Sequence, residues 1–225
     1  MDSTQGTNFY TEIIDWEYQG PILEEMKKIS NKTGAALLPA RVWEYPWSVE
    51  QIDIRSGSVL DAGAGYGALQ FWLANHGLQV TACDIPTVKN YSYHGMRSPE
   101  ELHKKFPSRS LTFVWADMSN LSFDDNSFDA VISISVLEHL PIPKMIQAFA
   151  ELWRVLKKGG PLVVTVDYGP GKGDMINTER LQHVIKESIG IEVELPPLRI
   201  SDYELSKKHT RLDIDRTFLG ITLRK

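Results

Sequence analysis

Between Val59 and Gly67 the chain reads Val-Leu-Asp-Ala-Gly-Ala-Gly-Tyr-Gly, and few folds accommodate such a run. An apolar strand ends on the carboxylate of Asp61, turns through Gly63, Gly65 and Gly67, and opens into a helical stretch reaching Asn75. Glycine suits a turn whose backbone takes left-handed angles and lies against a ligand with no Cβ in the way. The helix start behind the turn offers unpaired N–H groups and the positive end of the helix dipole. Strand, glycine turn and helix together form a cradle for a nucleotide-type ligand.

The pattern continues on both sides of the cradle. Strands are expected at 58–60, 78–83, 111–115, 129–134, 162–166, 191–195 and 217–223, and helices at 66–75, 98–105, 143–157 and 178–188. Strand–helix alternation implies a parallel α/β sheet covered on both faces. The last two strands have little helix between them, so they are expected to form a terminal antiparallel, hairpin-like pair. Residues 1–56 differ in character, with aromatics and prolines, helices expected at 21–30 and 48–54, and no convincing strand. They read as a helical extension packed over a domain formed by residues 57–225, not as an independent unit. The predicted class is α/β, a Rossmann-like sandwich with a mostly parallel seven-stranded sheet.

Composition removes several function classes. The formal charge of -5 gives no broad basic field for nucleic-acid phosphates. A single cysteine, Cys83, rules out an intrachain disulfide and a multi-thiolate metal centre, and its apolar neighbours mark it as a buried hydrophobe. No run is long and apolar enough to span a membrane, and the first ten residues are polar and acidic, so a soluble cytoplasmic protein is the default expectation.

In sheets of this kind ligands bind beyond the carboxyl ends of the strands. Polar residues stand there in series: Asp61, Asp84, Asp117, then Ser135, Glu138 and His139, then Asp167 and Tyr168. Asp84 follows the glycine turn by about twenty residues, where a carboxylate can accept both ribose hydroxyls. A nicotinamide-binding fold would use that acid too, but its glycines are spaced Gly-x-Gly-x-x-Gly. Here they alternate, and Asp61 before them would repel a pyrophosphate while suiting an ammonium or sulfonium ligand.

These residues resemble the class I S-adenosylmethionine-dependent methyltransferases of the type 11 kind. The likeness runs through Leu60–Gly67, Asp84, Ala116-Asp117-Met118, Phe123–Asp129, Val136-Leu137-Glu138-His139-Leu140 and Glu151–Gly160. It implies S-adenosyl-L-methionine as cofactor, with Asp61, Gly63, Gly65 and Gly67 around its methionine part. It further implies Asp84 on the ribose, Ile85 against the adenine, Asp117 and the Met118 N–H at the adenine edge, and Ser135 near the sulfonium. The segment after Asp84 is longer and more aromatic than the family pattern, and Lys158 stands where proline is common.

Methyl transfer from a sulfonium is an in-line displacement, so the protein positions the nucleophile and removes its proton where needed. His139 is the first candidate base because imidazole titrates near neutrality; Asp167 and Tyr168 form a second pair. Arg41, Glu44 and Tyr45, within the aromatic run 41–47, are candidate substrate contacts for a saccharide or other small acceptor, with the cofactor carboxylate an alternative for Arg41. The same run reads equally as a helical cap whose tryptophans anchor it to the sheet. Tyr91–His94 is a candidate lid, and the glycine-rich stretch 169–173 a candidate gating loop. The sequence lacks the Asn/Asp-Pro-Pro-aromatic run of nucleic-acid amino methylation and a clustered-acid metal site. Small-molecule or saccharide O- or N-methylation remains, beside a cofactor-binding partner protein without catalysis and a nicotinamide oxidoreductase.

Overall fold

A computed structural model describes residues 9–13, 20–86, 98–169, 175–197 and 217–225. The segments 91–94 and 170–173 lie outside the described residues. Seven strands form one sheet: β1 (Phe9–Ile13), β2 (Gly57–Ala62), β3 (Leu78–Asp84), β4 (Leu111–Trp115), β5 (Ala130–Ile134), β6 (Pro161–Tyr168) and β7 (Thr217–Arg224). Their order is β1-β7-β6-β5-β2-β3-β4. Strands β2 to β6 run parallel, and β7 lies antiparallel to both β6 and β1. The chain order reverses between β2 and β5, which makes that crevice the topological switch point where ligands bind.

Helices α5 (Ile142–Val155) and α6 (Thr178–Ile189) bury one face of the sheet against Leu60, Val131, Val164 and Leu219. Helices α1 (Pro21–Thr33), α2 (Arg41–Ile52), α3 (Leu69–Asn75) and α4 (Pro99–Lys105) cover the other, against Val59, Val80, Ile132 and Val163. Local chemistry sets the helix ends. The Ser98 hydroxyl accepts from the Glu101 N–H at 3.2 Å to start α4, and the Asn177 side chain accepts from the Arg180 N–H at 2.9 Å to start α6. Cys83 is fully buried.

Three expectations are corrected. The stretch 191–195 forms no strand, and the N-terminal segment, where none was expected, supplies β1. The edge place beside β7 is taken by β1, and Thr11 Oγ1 donates to the Glu194 carbonyl at 3.4 Å, so the later segment runs past an edge already paired. The second N-terminal helix begins at Arg41, not Ser48, and includes Pro46. Its tryptophans hold it down. A Cβ on Gly220 of β7 would lie 2.4 Å from the Trp47 ring, so only glycine permits that contact, and Trp43 packs on Phe218.

Candidate active site

Strand alternation aims the residues of this site. In β2, Leu60 and Ala62 face α5 and Val59 faces the α1–α3 layer, so Asp61 points with Val59 toward α2. There it lines a cleft of ≈ 200 Å³ with Arg41 and Tyr45 of α2, the turn residues Gly63, Gly65, Tyr66 and Gly67, and Ser135. Burial, then the neighbouring Asp84 carboxylate, push Asp61 up to about 7 against the pull of Arg41.

The glycine turn is fixed from several sides. The N–H groups of Gly63 and Ala64 donate to the Cys83 carbonyl at 2.9 and 3.0 Å, and the Gly65 N–H donates to Asp84 Oδ2 at 2.8 Å. The Ile85 N–H donates to Asp84 Oδ1 at 2.7 Å, and these two donors oppose the upward push of burial on Asp84. Gly63 has φ of 78°, and a Cβ there would stand 2.5 Å from Val136 Cγ2. Only glycine fits. Ile85, just past the end of β3, is 40% exposed.

One support of the turn escaped the sequence reading. Gln70 is fully buried in the first turn of α3, and its Nε2 donates to the carbonyls of Ala64 and Gly65 at 3.1 and 3.4 Å. Its Oε1 then accepts from His103 Nε2. Burial pushes His103 down to about 4, so the ring is neutral with its proton on Nε2. A buried glutamine in an otherwise apolar helix turn was the available signal.

At the next strand end, Asp117 Oδ1 accepts from the Ser119 N–H and hydroxyl at 2.9 and 2.7 Å, and Oδ2 from Lys144 at 3.2 Å. The Ser119 hydroxyl above all holds Asp117 below the usual carboxylate range. Met118 is buried, with its Cε 3.0 Å from the position of a Gly63 Cβ.

Under the cleft lies a buried polar knot. Glu44 is 0% exposed, and its carboxylate accepts from the Ser135 hydroxyl, from Thr165 Oγ1 at 2.6 Å and from Arg41. Burial opposes the Arg41 charge, but Glu44 and Tyr45 outweigh it and raise the guanidinium pKa. Ser135 has φ of 48°, an uncommon value for a side chain with a Cβ, and its N–H donates to the Thr165 carbonyl at 2.9 Å.

Beyond Ser135, the turn Leu137–His139 places Glu138 and His139 on a second cavity of ≈ 200 Å³. Glu138 is buried, and His139 is exposed at the cavity's mouth. Glu138 Oε1 accepts from the Asp167 N–H at 3.0 Å. Asp167 and Tyr168 do not meet, because successive strand residues point to opposite faces. Tyr168 packs toward α6, where its hydroxyl meets Thr178 Oγ1 and donates to the Pro196 carbonyl at 3.3 Å.

The architecture defines a cofactor-binding α/β domain with its ligand cleft at the switch point. Residues 60–164 match a family described as a methyltransferase domain. A sterol 24-C-methyltransferase of Gibberella zeae is 39% identical over 111 residues, 49% of this chain and 28% of that protein. A ubiquinone biosynthesis O-methyltransferase of Xanthomonas oryzae pv. oryzae is 32% identical over 153 residues, 67% of this chain and 54% of that protein. The chain thus spans well under two thirds of either relative. In fold it is similar to Haemonchus contortus phosphoethanolamine N-methyltransferase 2 bound to S-adenosyl-L-methionine, with TM-score 0.65 and 18% identity over 90% of this chain and 57% of that one. A methyltransferase from Mesorhizobium loti gives TM-score 0.60 and 17% identity over 81% of this chain and 97% of that one. Over residues 60–164 the chain is thus similar to a methyltransferase domain, and its fold is that of the methyltransferase structures named above. Among the described residues no helix is long and apolar enough to cross a membrane.

Proposed function

We propose that this protein transfers the methyl group of S-adenosyl-L-methionine to an oxygen or nitrogen atom of a small molecule or saccharide. One observation carries the reading: a carboxyl, Asp61, and a guanidinium, Arg41, line the same small cleft around the glycine turn. That pairing complements the ammonium and carboxylate of an amino-acid end, and an acid at Asp61 disfavours a pyrophosphate. The cofactor supplies a methyl group made electrophilic by its sulfonium. Gly63, Gly65 and Gly67 let the backbone approach its methionine part, while Asp84 accepts from the ribose hydroxyls. Ile85, Asp117 and Met118 border the adenine, and Ser135 lies under the sulfonium.

In this reading α1 and α2 cap the cleft, while β1 belongs to the sheet of the domain itself. Arg41 and Tyr45 serve the cofactor rather than the acceptor, and Glu44 positions Arg41 and Ser135. His139, at the mouth of the second cavity, is the proposed base and Asp167, whose N–H donates to Glu138, the second candidate, whereas Tyr168 packs the α6 face. The test is methyl transfer from labelled S-adenosyl-L-methionine across a panel of phenols, amines and saccharides. Labelled product is expected, and His139→Ala should slow it at least tenfold without changing cofactor affinity, the usual scale for a proton-transfer group being ~10²–10⁴. Undiminished turnover in that variant removes His139 as base.

A further inference from the structure

A trans peptide holds its C=O and its N–H on opposite sides of the chain. In the unit joining Ala64 to Gly65, the carbonyl accepts from Gln70 Nε2 at 3.1 Å and the N–H donates to Asp84 Oδ2 at 2.8 Å. Gln70 and Asp84 therefore grip one peptide plane from its two edges. The Gly65 carbonyl accepts from the same Gln70 nitrogen at 3.4 Å, which ties the next plane to the same amide.

Gln70 is oriented in turn. With Nε2 committed to two carbonyls, its Oε1 faces α4 and accepts from His103 Nε2. An amide turned the other way would set oxygen against both carbonyls and a nitrogen donor against the His103 N–H. The imidazole lies between Phe71 and Phe113, with ring centroids 5.4 and 5.2 Å away, and its Nδ1 is buried with no hydrogen-bond partner among the described residues. Such a nitrogen costs stability, and an apolar ring would fill the same place without that cost. Packing is therefore a poor account of this histidine.

We infer that His103 and Gln70 are positioning residues for the cofactor's ribose. His103 orients the Gln70 amide, the amide sets the Ala64–Gly65 plane, and the Gly65 N–H aims the Asp84 carboxylate. This rests on the S-adenosyl-L-methionine reading above and goes beyond it, since neither residue lines the cofactor cleft. The other Asp84 oxygen, Oδ1, accepts from the Ile85 N–H at 2.7 Å, so both oxygens are tethered. Each keeps a further acceptor site for one of two adjacent hydroxyls. Released on the Gly65 side, the carboxylate turns about its Cβ–Cγ bond and the paired grip on the ribose is lost.

Removing both polar partners at once separates positioning from packing. Gln70→Met combined with His103→Phe keeps the two side-chain volumes and leaves neither residue with an unpaired polar atom, a change that is close to neutral for stability. Cooperative melting near the wild-type temperature is expected, with calorimetric affinity for S-adenosylhomocysteine at least fivefold weaker. His103→Phe alone frees the amide to turn and should give most of that loss. In an Asp84→Ala background the same pair of substitutions should change affinity less than twofold, because no carboxylate remains to be aimed. Wild-type affinity in the paired variant or in His103→Phe, or a loss as large without Asp84 as with it, would overturn the inference. Absence of S-adenosylhomocysteine binding by the wild-type protein would instead strike the underlying cofactor reading.

Discussion

Glu44→Ala should lower the unfolding free energy by about 3–5 kcal/mol, the range for breaking a buried ion pair from one side. The substitution strips the shared acceptor from the Ser135 and Thr165 hydroxyls and leaves Arg41, only 19% exposed, without its carboxylate. Each orphaned hydroxyl adds a desolvation penalty of roughly 1–3 kcal/mol where no water replaces the partner. The effect is also topological, because Glu44 ties α2 to the ends of β5 and β6. Glu44→Gln keeps an oxygen for the hydroxyls but loses the charge, so it should fall between the wild type and the alanine variant. Urea unfolding with matched slopes measures all three. An alanine variant within about 1 kcal/mol of wild type would show that the knot does not hold the cap.

The second large effect is an inverted pH dependence. Asp61 and Glu138 bind protons more tightly folded than unfolded: burial and a neighbouring carboxylate push them to about 7 and about 8, from 3.8 and 4.5. The native state therefore holds protons that the unfolded chain has released. The stabilisation these groups confer is complete below their unfolded values and is lost as pH rises through the folded ones. His103 acts oppositely, since its folded value of about 4 lies below 6.5, so it adds stability as pH rises between those limits. Above pH 6.5 its contribution is constant and the acids are exposed. Between pH 6.5 and 9 the cofactor-free protein should lose on the order of 3 kcal/mol, about two thirds of it through Glu138. Glu138→Gln should flatten the slope, and S-adenosyl-L-methionine should remove the Asp61 share by bringing its ammonium to that carboxyl. Stability that rises over this window, or a slope unaltered by Glu138→Gln, would contradict the assignment.

Much of this was legible in the residues. The glycine turn and the acids at successive strand ends follow from local chemistry and short-range pattern; the final strand is antiparallel as expected, but against β6 and β1 and not against the stretch 191–195. The opposite aims of Asp167 and Tyr168 were legible too, since neighbours in a strand point to opposite faces. Strand β1 was not, because five residues at a sheet edge carry little periodic signal and their pairing with β7 spans almost the whole chain. Nor was the stretch 191–195, whose strand-like composition meets an edge already filled. Helix α2 was half hidden by Pro46, and tertiary contacts of Trp43 and Trp47 carry it through that residue. Glu138 stood in the strand-end series, but that its Oε2 finds no partner among the described residues is a product of packing. The Gln70–His103 support joins residues 33 positions apart and has no local motif.

The cleft around Asp61, Arg41 and the Asp84-bound glycine turn is proposed as the site for S-adenosyl-L-methionine. Calorimetric titration of wild type and Asp84→Ala with that cofactor and with NAD tests it most directly. Saturable binding of S-adenosyl-L-methionine alone is predicted, weakened at least tenfold in Asp84→Ala while the variant still melts cooperatively. Binding of NAD in its place, or equal affinity in the variant, would contradict the account.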